Sequence, residues 1–124
     1  MSTVLIVEDN DKNMKLARDV LQAKGYKTLE AVTGEEGVKL AKENTPDLVL
    51  MDIQLPGING IEAFKQLRAD PKTARIPVVA LTASVTPTDR SQITAAGFDA
   101  FVGKPINLRE FLDTVKRLVE GGKK

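Results

Sequence analysis

Between Pro46 and Pro56 runs Asp47-Leu48-Val49-Leu50-Met51-Asp52, and no other stretch limits the possible folds as much. Four apolar residues in succession, closed off on both sides by proline, are too few for a helix and read as a strand covered on both faces. Such a strand needs helices above and below its sheet. Asp52 then stands where the strand opens into Ile53-Gln54-Leu55-Pro56-Gly57. A carboxylate there is either a turn residue or a chemical group, and the remaining segments decide which.

Those segments supply the helices. Thr3 to Val7 is a five-residue apolar strand ending in Glu8-Asp9-Asn10-Asp11. A helix over about Lys12–Lys24 follows, with Met14, Ala17, Val20 and Leu21 on one face and Gly25 as its stop. Lys27 to Ala31 alternates polar and apolar residues, as a half-buried edge strand does. Thr33-Gly34-Glu35-Glu36 is a capping box for a helix that turns Gly37, Val38 and Ala41 inward and ends near Asn44. After the Pro56–Gly60 loop, Ile61, Phe64 and Leu67 mark a helix to about Ala69, broken by Asp70-Pro71. Pro77 to Leu81 is a fourth strand with Thr82 at its end. Thr86, as an N-cap, and Pro87 begin a helix closed by Gly97, in which Ile93 is the one large apolar residue. Phe98 to Val102 is a fifth strand. Asn107 caps a last helix striped by Leu108, Phe111, Leu112, Val115, Leu118 and Val119, and the Gly-Gly-Lys-Lys tail is expected to fray. Strand and helix alternate five times, which implies a parallel sheet with helices on both faces and right-handed crossovers.

A length of 124 residues suits one domain, and residues 1–124 are expected to form it without an attached output domain. With 18 basic and 17 acidic side chains the net charge is +1, which favours neither nucleic acid nor a membrane surface as partner. The absence of Cys excludes thiol chemistry and disulfides. The absence of His removes the commonest general base, so any metal would be a hard, oxygen-bound ion such as Mg²⁺. The chain opens on a short apolar strand, with no signal peptide or membrane-spanning pattern, and a soluble cytoplasmic protein is expected.

In a sheet of this kind ligands bind outside the carboxyl ends of the strands. There the reading places Glu8 and Asp9, Asp52, Thr82 and Lys104, while the edge strand ends in unreactive Ala31-Val32. Three acids together repel one another unless a divalent cation sits among them, and a lysine and a hydroxyl opposite suit phosphate oxygens. The set reads as phosphoryl transfer to a carboxylate, with Asp52 as nucleophile. Singly, each residue has a plainer role: Asp9 and Asp11 as helix caps, Asp52 as a loop residue, Thr82 as a strand former, Lys104 as a surface charge. Jointly those roles fail, because packing has no use for five such groups at the strand ends. Phe101 alone would pass for core or edge filler.

The residues Leu5-Ile6-Val7-Glu8-Asp9, Met51-Asp52 with Pro56 and Gly60, Ala80-Leu81-Thr82-Ala83 and Lys104-Pro105 carry a resemblance, over Val4 to Val119, to two-component response-regulator receiver domains. The stretches Val7–Leu16 and Met51–Pro56 are similar in particular to stand-alone receivers of alphaproteobacterial cell-cycle phosphorelays. The resemblance implies an α/β, flavodoxin-like (βα)5 three-layer sandwich with sheet order 2-1-3-4-5. It further implies that Asp52 accepts a phosphoryl group from the phosphohistidine of a sensor histidine kinase or a histidine phosphotransfer protein. Glu8, Asp9, Asp52 and the Gln54 backbone carbonyl would hold Mg²⁺. Lys104 would be the phosphate-binding lysine, usually followed by a cis proline bond, and Thr82 and Phe101 the switch pair. A downstream protein target would bind on the face made by the fourth helix, fifth strand and fifth helix. Such a domain catalyses its own phosphorylation and dephosphorylation and is not a turnover enzyme. Phe101 departs from the tyrosine many members carry, so an output that needs the hydroxyl is in doubt.

Three other functions compete. A phosphatase of the haloacid-dehalogenase type needs a second acid two residues after the nucleophile, where this chain has Gln54. A flavodoxin-like cofactor binder needs a Ser/Thr-rich loop after the first strand, and here that loop is acidic. A pseudo-receiver that works without phosphorylation would not need the intact set of acids and lysine.

Overall fold

A computed structural model describes residues 2–55, 57–82, 87–104 and 106–121, for 87–90 and 121 in backbone only. The elements are β1 (Thr3–Val7), α1 (Asp11–Ala23), β2 (Lys27–Ala31), α2 (Gly34–Asn44), β3 (Leu48–Asp52), α3 (Gly60–Ala69), β4 (Val78–Thr82), α4 (Pro87–Ala96), β5 (Ala100–Gly103) and α5 (Leu108–Gly121). All strand pairs are parallel, in the order β2-β1-β3-β4-β5. The order reverses beside β1 and β3, so the carboxyl ends of those two strands flank the crevice where ligands of such sheets bind.

Every residue of β3 is buried, because alternate side chains enter two separate cores. Leu48 and Leu50 join Val4, Ile6, Val79, Leu81 and Val102 beneath α1 and α5, where Leu21, Phe111 and Val115 close the layer. Val49 and Met51 join Leu5, Val7 and Val78 against Val38 and Ala41 of α2 and Phe64 and Leu67 of α3. At about 1.5–3 kcal/mol for each fully buried large apolar side chain, these two layers dominate the stability. The outer strand β2 has only Ala31 fully buried, as its alternating sequence requires.

Local signals set most boundaries. The cap of α1 is Asn10, whose Oδ1 accepts the Lys12 and Asn13 N–H groups at 3.0 and 3.1 Å; Asp9 and Asp11 do not fill that role. Thr33 Oγ1 accepts the Glu36 N–H at 3.1 Å, and Glu36 reaches back to the Val32 N–H at 3.0 Å, one residue beyond the usual capping-box partner. Asn59 caps α3 and Asn107 caps α5 in the same manner. The break after α3 is fixed by Asp70, which accepts the Lys72 N–H, and by the fully buried Thr73, whose hydroxyl donates to the Leu67 carbonyl at 2.6 Å.

Three expectations shift. The fourth strand runs one residue later than expected, so that Thr82 lies within β4 opposite Gly103. The fifth begins at Ala100, because Phe98 instead stacks on Phe64 with ring centroids 4.1 Å apart. Asp99 turns its carboxylate onto the Val78 N–H and the Arg68 guanidinium, both at 2.8 Å. Leu108 is 45 % exposed at the loop end of α5, so the apolar stripe starts at Phe111. The expected cap at Thr86, the peptide bond before Pro105 and the tail beyond Gly121 lie outside the described residues. Among the described residues no helix is long and apolar enough to cross a membrane.

Candidate functional site

The crevice at the ends of β1 and β3 is where the structure gathers the acids. Glu8 follows β1 directly and is buried (1 % exposed); Asp52 ends β3 (3 % exposed); Asp9, next to Glu8, faces solvent. One carboxylate oxygen from each lies within 4.8 Å of the others. Chain direction does this: two parallel neighbours, β1 and β3, deliver their terminal residues to the same edge of the sheet.

Asp52 is held at both oxygens. The Gln54 N–H donates to Oδ1 at 3.0 Å, and the Lys104 ammonium donates to Oδ2 at 2.8 Å. Lys104 comes from the loop after β5, and its own N–H donates to the Thr82 carbonyl at 2.8 Å, which ties that loop to the end of β4. The same ammonium lies 2.7 Å from Glu8 Oε1. That contact is a charge pairing outside hydrogen-bond geometry, so Oε1 is a buried oxygen with no directed donor among the described residues. Its companion Oε2 accepts the Asn10 N–H at 3.3 Å.

The charges do not balance in such a small volume. Burial, and then the neighbouring Asp52 carboxylate, push the Glu8 carboxyl up from 4.5 to about 7, against the opposing pull of Lys104. Burial alone would lower the pKa of Lys104, but its hydrogen bond to Asp52 and its charge pairing with Glu8 outweigh that and raise it. One ammonium for three carboxylates, with a buried oxygen lacking a directed donor, is the donor set of a hard divalent cation. The residues therefore fit Mg²⁺, with Glu8, Asp9 and Asp52 as the carboxylates able to hold it.

The acid loop after β3 is set by close backbone contact. The Gly60 N–H donates to the Ile53 carbonyl at 3.0 Å. A Cβ on Gly60 would run into the Asp52 carbonyl oxygen and lie 2.8 Å from the Ile53 Cα, so only glycine allows this approach. Nothing in the linear sequence announces that contact beyond the glycine itself. Thr82 is buried at the end of β4, one strand away from Asp52, and Phe101 is half-buried on β5 opposite Ala80, two strands away. The Gln54 side chain is exposed, and its backbone N–H is the part that reaches Asp52.

The chain is similar in sequence and fold to known proteins. The polar-differentiation response regulator DivK of Brucella ovis is 46% identical over 114 residues, covering 92% of this chain and 93% of that protein. The receiver domain of a Pseudomonas aeruginosa sensor histidine kinase, solved with magnesium coordinated in its active-site cleft, superposes with a TM-score of 0.90 at 30% identity, covering 96% of this chain and 98% of that one. The chemotaxis protein CheY4 of Vibrio cholerae gives 0.89 at 27% identity, covering 95% and 98%. The family model for the response regulator receiver domain matches residues 4–116, and with the DivK identity over nearly the whole length it establishes that this chain belongs to the receiver-domain family of two-component response regulators.

Proposed function

We propose that this chain works as a stand-alone receiver in a phosphorelay, in which Asp52 accepts a phosphoryl group from a phosphohistidine on a sensor histidine kinase or a histidine phosphotransfer protein. The donor's N–P bond breaks as an O–P bond forms to an Asp52 carboxylate oxygen, and the released imidazole nitrogen takes a proton from solvent. The observation that carries this reading is the state of Asp52: 3 % exposed, with one oxygen on the Gln54 N–H and the other on the Lys104 ammonium. The carboxylate is thus oriented before the donor arrives, so part of the entropic cost of alignment is already met. Mg²⁺ held by Glu8, Asp9, Asp52 and the Gln54 carbonyl would supply neutralisation of the phosphoryl charge. Lys104 then pairs with a phosphoryl oxygen in place of the carboxylate oxygen it holds at rest. The chain accordingly catalyses its own phosphorylation and dephosphorylation and turns over no external substrate.

Thr82 and Phe101 form the switch. Drawing the Thr82 hydroxyl toward the phosphoryl group gives the half-buried Phe101 ring room to turn inward. Ile93 is the one large apolar residue that α4 has, and it is buried. This weak anchoring makes α4 the helix most easily displaced. The downstream target binds the face of α4, β5 and α5, where a cleft of about 730 Å³ is lined by Phe101, Asn107, Arg109, Asp113 and Arg117 among others. The likeness to the polar-differentiation response regulator DivK supports a role in polar-differentiation or cell-cycle signalling, and a net charge of +1 accords with a cytoplasmic chain that meets protein partners, neither nucleic acid nor membrane. Acetyl phosphate with Mg²⁺ should add one phosphoryl group by intact-mass measurement, and Asp52→Asn should remove the addition while keeping the wild-type circular dichroism spectrum. Equal phosphorylation of Asp52→Asn would move the acceptor elsewhere and end this reading.

A further inference from the structure

Residues 53–59 connect the end of β3 to α3 and carry Gln54, and the gathered acids hold this loop at its start, where the Gln54 N–H donates to Asp52 Oδ1. At its near end the Gly60 N–H closes onto the Ile53 carbonyl. Its middle rests on α2, an element with no residue among the gathered acids. Gly57 adopts φ +74°, and a Cβ there would fall 2.6 and 2.7 Å from the two Glu35 carboxylate oxygens. The Ile58 N–H donates to Glu35 Oε1 at 3.4 Å. A Cβ on Gly34 would in turn come within 2.8 Å of Ile58. The first turn of α2 and the loop therefore fit with no room between them, and the Glu35 carboxylate occupies the space that Gly57 leaves open.

The adjacent Glu36 provides the contrast. It belongs to the same helical turn and has the same charge, but it reaches back to the Val32 N–H, within the connection to its own helix. Favourable interaction with the start of a helix is available to both residues. Of these two carboxylates, Glu35 is the one hydrogen-bonded to the loop after Asp52 among the described residues.

We infer that Glu35 is a positioning residue for phosphoryl transfer, acting through the Gly57–Ile58 backbone to fix the loop that presents Gln54 to Asp52 and to the divalent cation. The inference rests on the reading of Asp52 as acceptor. Losing this contact lets the loop move away from the acids, which weakens the cation site without disturbing the sheet. Because the carboxylate acts as a hydrogen-bond acceptor of fixed length, an amide oxygen in the same place can take over its role.

The test is Mg²⁺ titration of the full chain, read by calorimetry and by the Gln54 and Ile58 amide resonances, together with the initial rate of phosphorylation by acetyl phosphate. Glu35→Ala should weaken Mg²⁺ binding by about three- to tenfold, at or below the lower end for residues that orient metal ligands, with a parallel fall in kcat/KM. Glu35→Gln should stay within about twofold of wild type, the range left when the acceptor survives. Glu36→Ala should lower the melting temperature but leave Mg²⁺ affinity within the same range. The inference is overturned if Glu35→Ala binds Mg²⁺ as the wild type does, or if Glu35→Gln falls as far as Glu35→Ala, which would assign the effect to charge at the helix start. Failure of the acceptor reading is seen separately, as phosphorylation that persists in Asp52→Asn.

Discussion

Removing divalent cations should make this protein less stable as pH rises through neutrality, contrary to the behaviour expected of an ordinary surface carboxylate. The cause is Glu8. Its carboxyl is raised from 4.5 to about 7 by burial and by Asp52, so between those values the native state keeps a proton that the unfolded chain has released. Stability from this group is full below the unfolded value and is lost as pH climbs to the folded one. At 1.36 kcal/mol per pH unit the whole span corresponds to about 3 kcal/mol, of which about 2 kcal/mol falls between pH 5.5 and 8. The chain has no histidine to compete in this window, and the raised pKa of Lys104 matters only above the ordinary lysine range. With no tryptophan present, urea unfolding is best followed by far-ultraviolet circular dichroism. In EDTA the midpoint should fall by about 1 M urea from pH 5.5 to 8, given an ordinary urea dependence for a domain of this size. Glu8→Gln should abolish the trend, and Mg²⁺ should offset it by binding the ionised acids of the native state. A midpoint that holds steady or rises with pH in EDTA, or an unchanged slope in Glu8→Gln, would refute the argument.

Other substitutions probe the same framework. Lys104→Met leaves Glu8 and Asp52 without their ammonium, and it should cost roughly 3 kcal/mol in EDTA at pH 8, with a smaller loss in Mg²⁺, both measured by urea unfolding. Gly60→Ala forces its Cβ against the Asp52 carbonyl, and should cost about 1–3 kcal/mol and weaken Mg²⁺ binding by calorimetry. Gly25→Ala, at φ +90° with open space around it, should cost about 1 kcal/mol and leave Mg²⁺ binding unchanged. Phe111→Ala, fully buried, should cost about 3–5 kcal/mol, whereas Leu108→Ala at the exposed end of α5 should stay within about 0.5 kcal/mol, as thermal or urea melts will show.

The sequence is legible here wherever one physical rule dominates. The run Leu48–Met51 identifies itself because a strand covered on both faces cannot hold polar residues. The site follows from topology, since parallel strands bring their carboxyl ends to one edge and so bring Glu8 to Asp52 although they are far apart in sequence. What escaped depends on three-dimensional fit. Phe98 looks like a strand former, but stacking on Phe64 and the attachment of Asp99 to Arg68 and Val78 take it out of β5. Leu108 belongs to the apolar stripe by spacing and yet lies at the exposed end of its helix. Glu35 and Glu36 are chemically identical neighbours, and only the direction of each side chain separates a loop contact from a cap. Spacing gives periodicity; it does not give the direction in which a surface side chain settles.

The central claim is that the Asp52 carboxylate itself carries the phosphoryl group, and borohydride trapping tests it most directly. An acyl phosphate is reduced to an alcohol, so treating the phosphorylated chain with sodium borohydride and sequencing its peptides by mass spectrometry should find homoserine at position 52. Conversion should require both the phosphodonor and Mg²⁺, and should be absent in Asp52→Asn. Homoserine at position 9, or an unreduced aspartate at 52 in a chain shown by intact mass to be phosphorylated, would contradict the account.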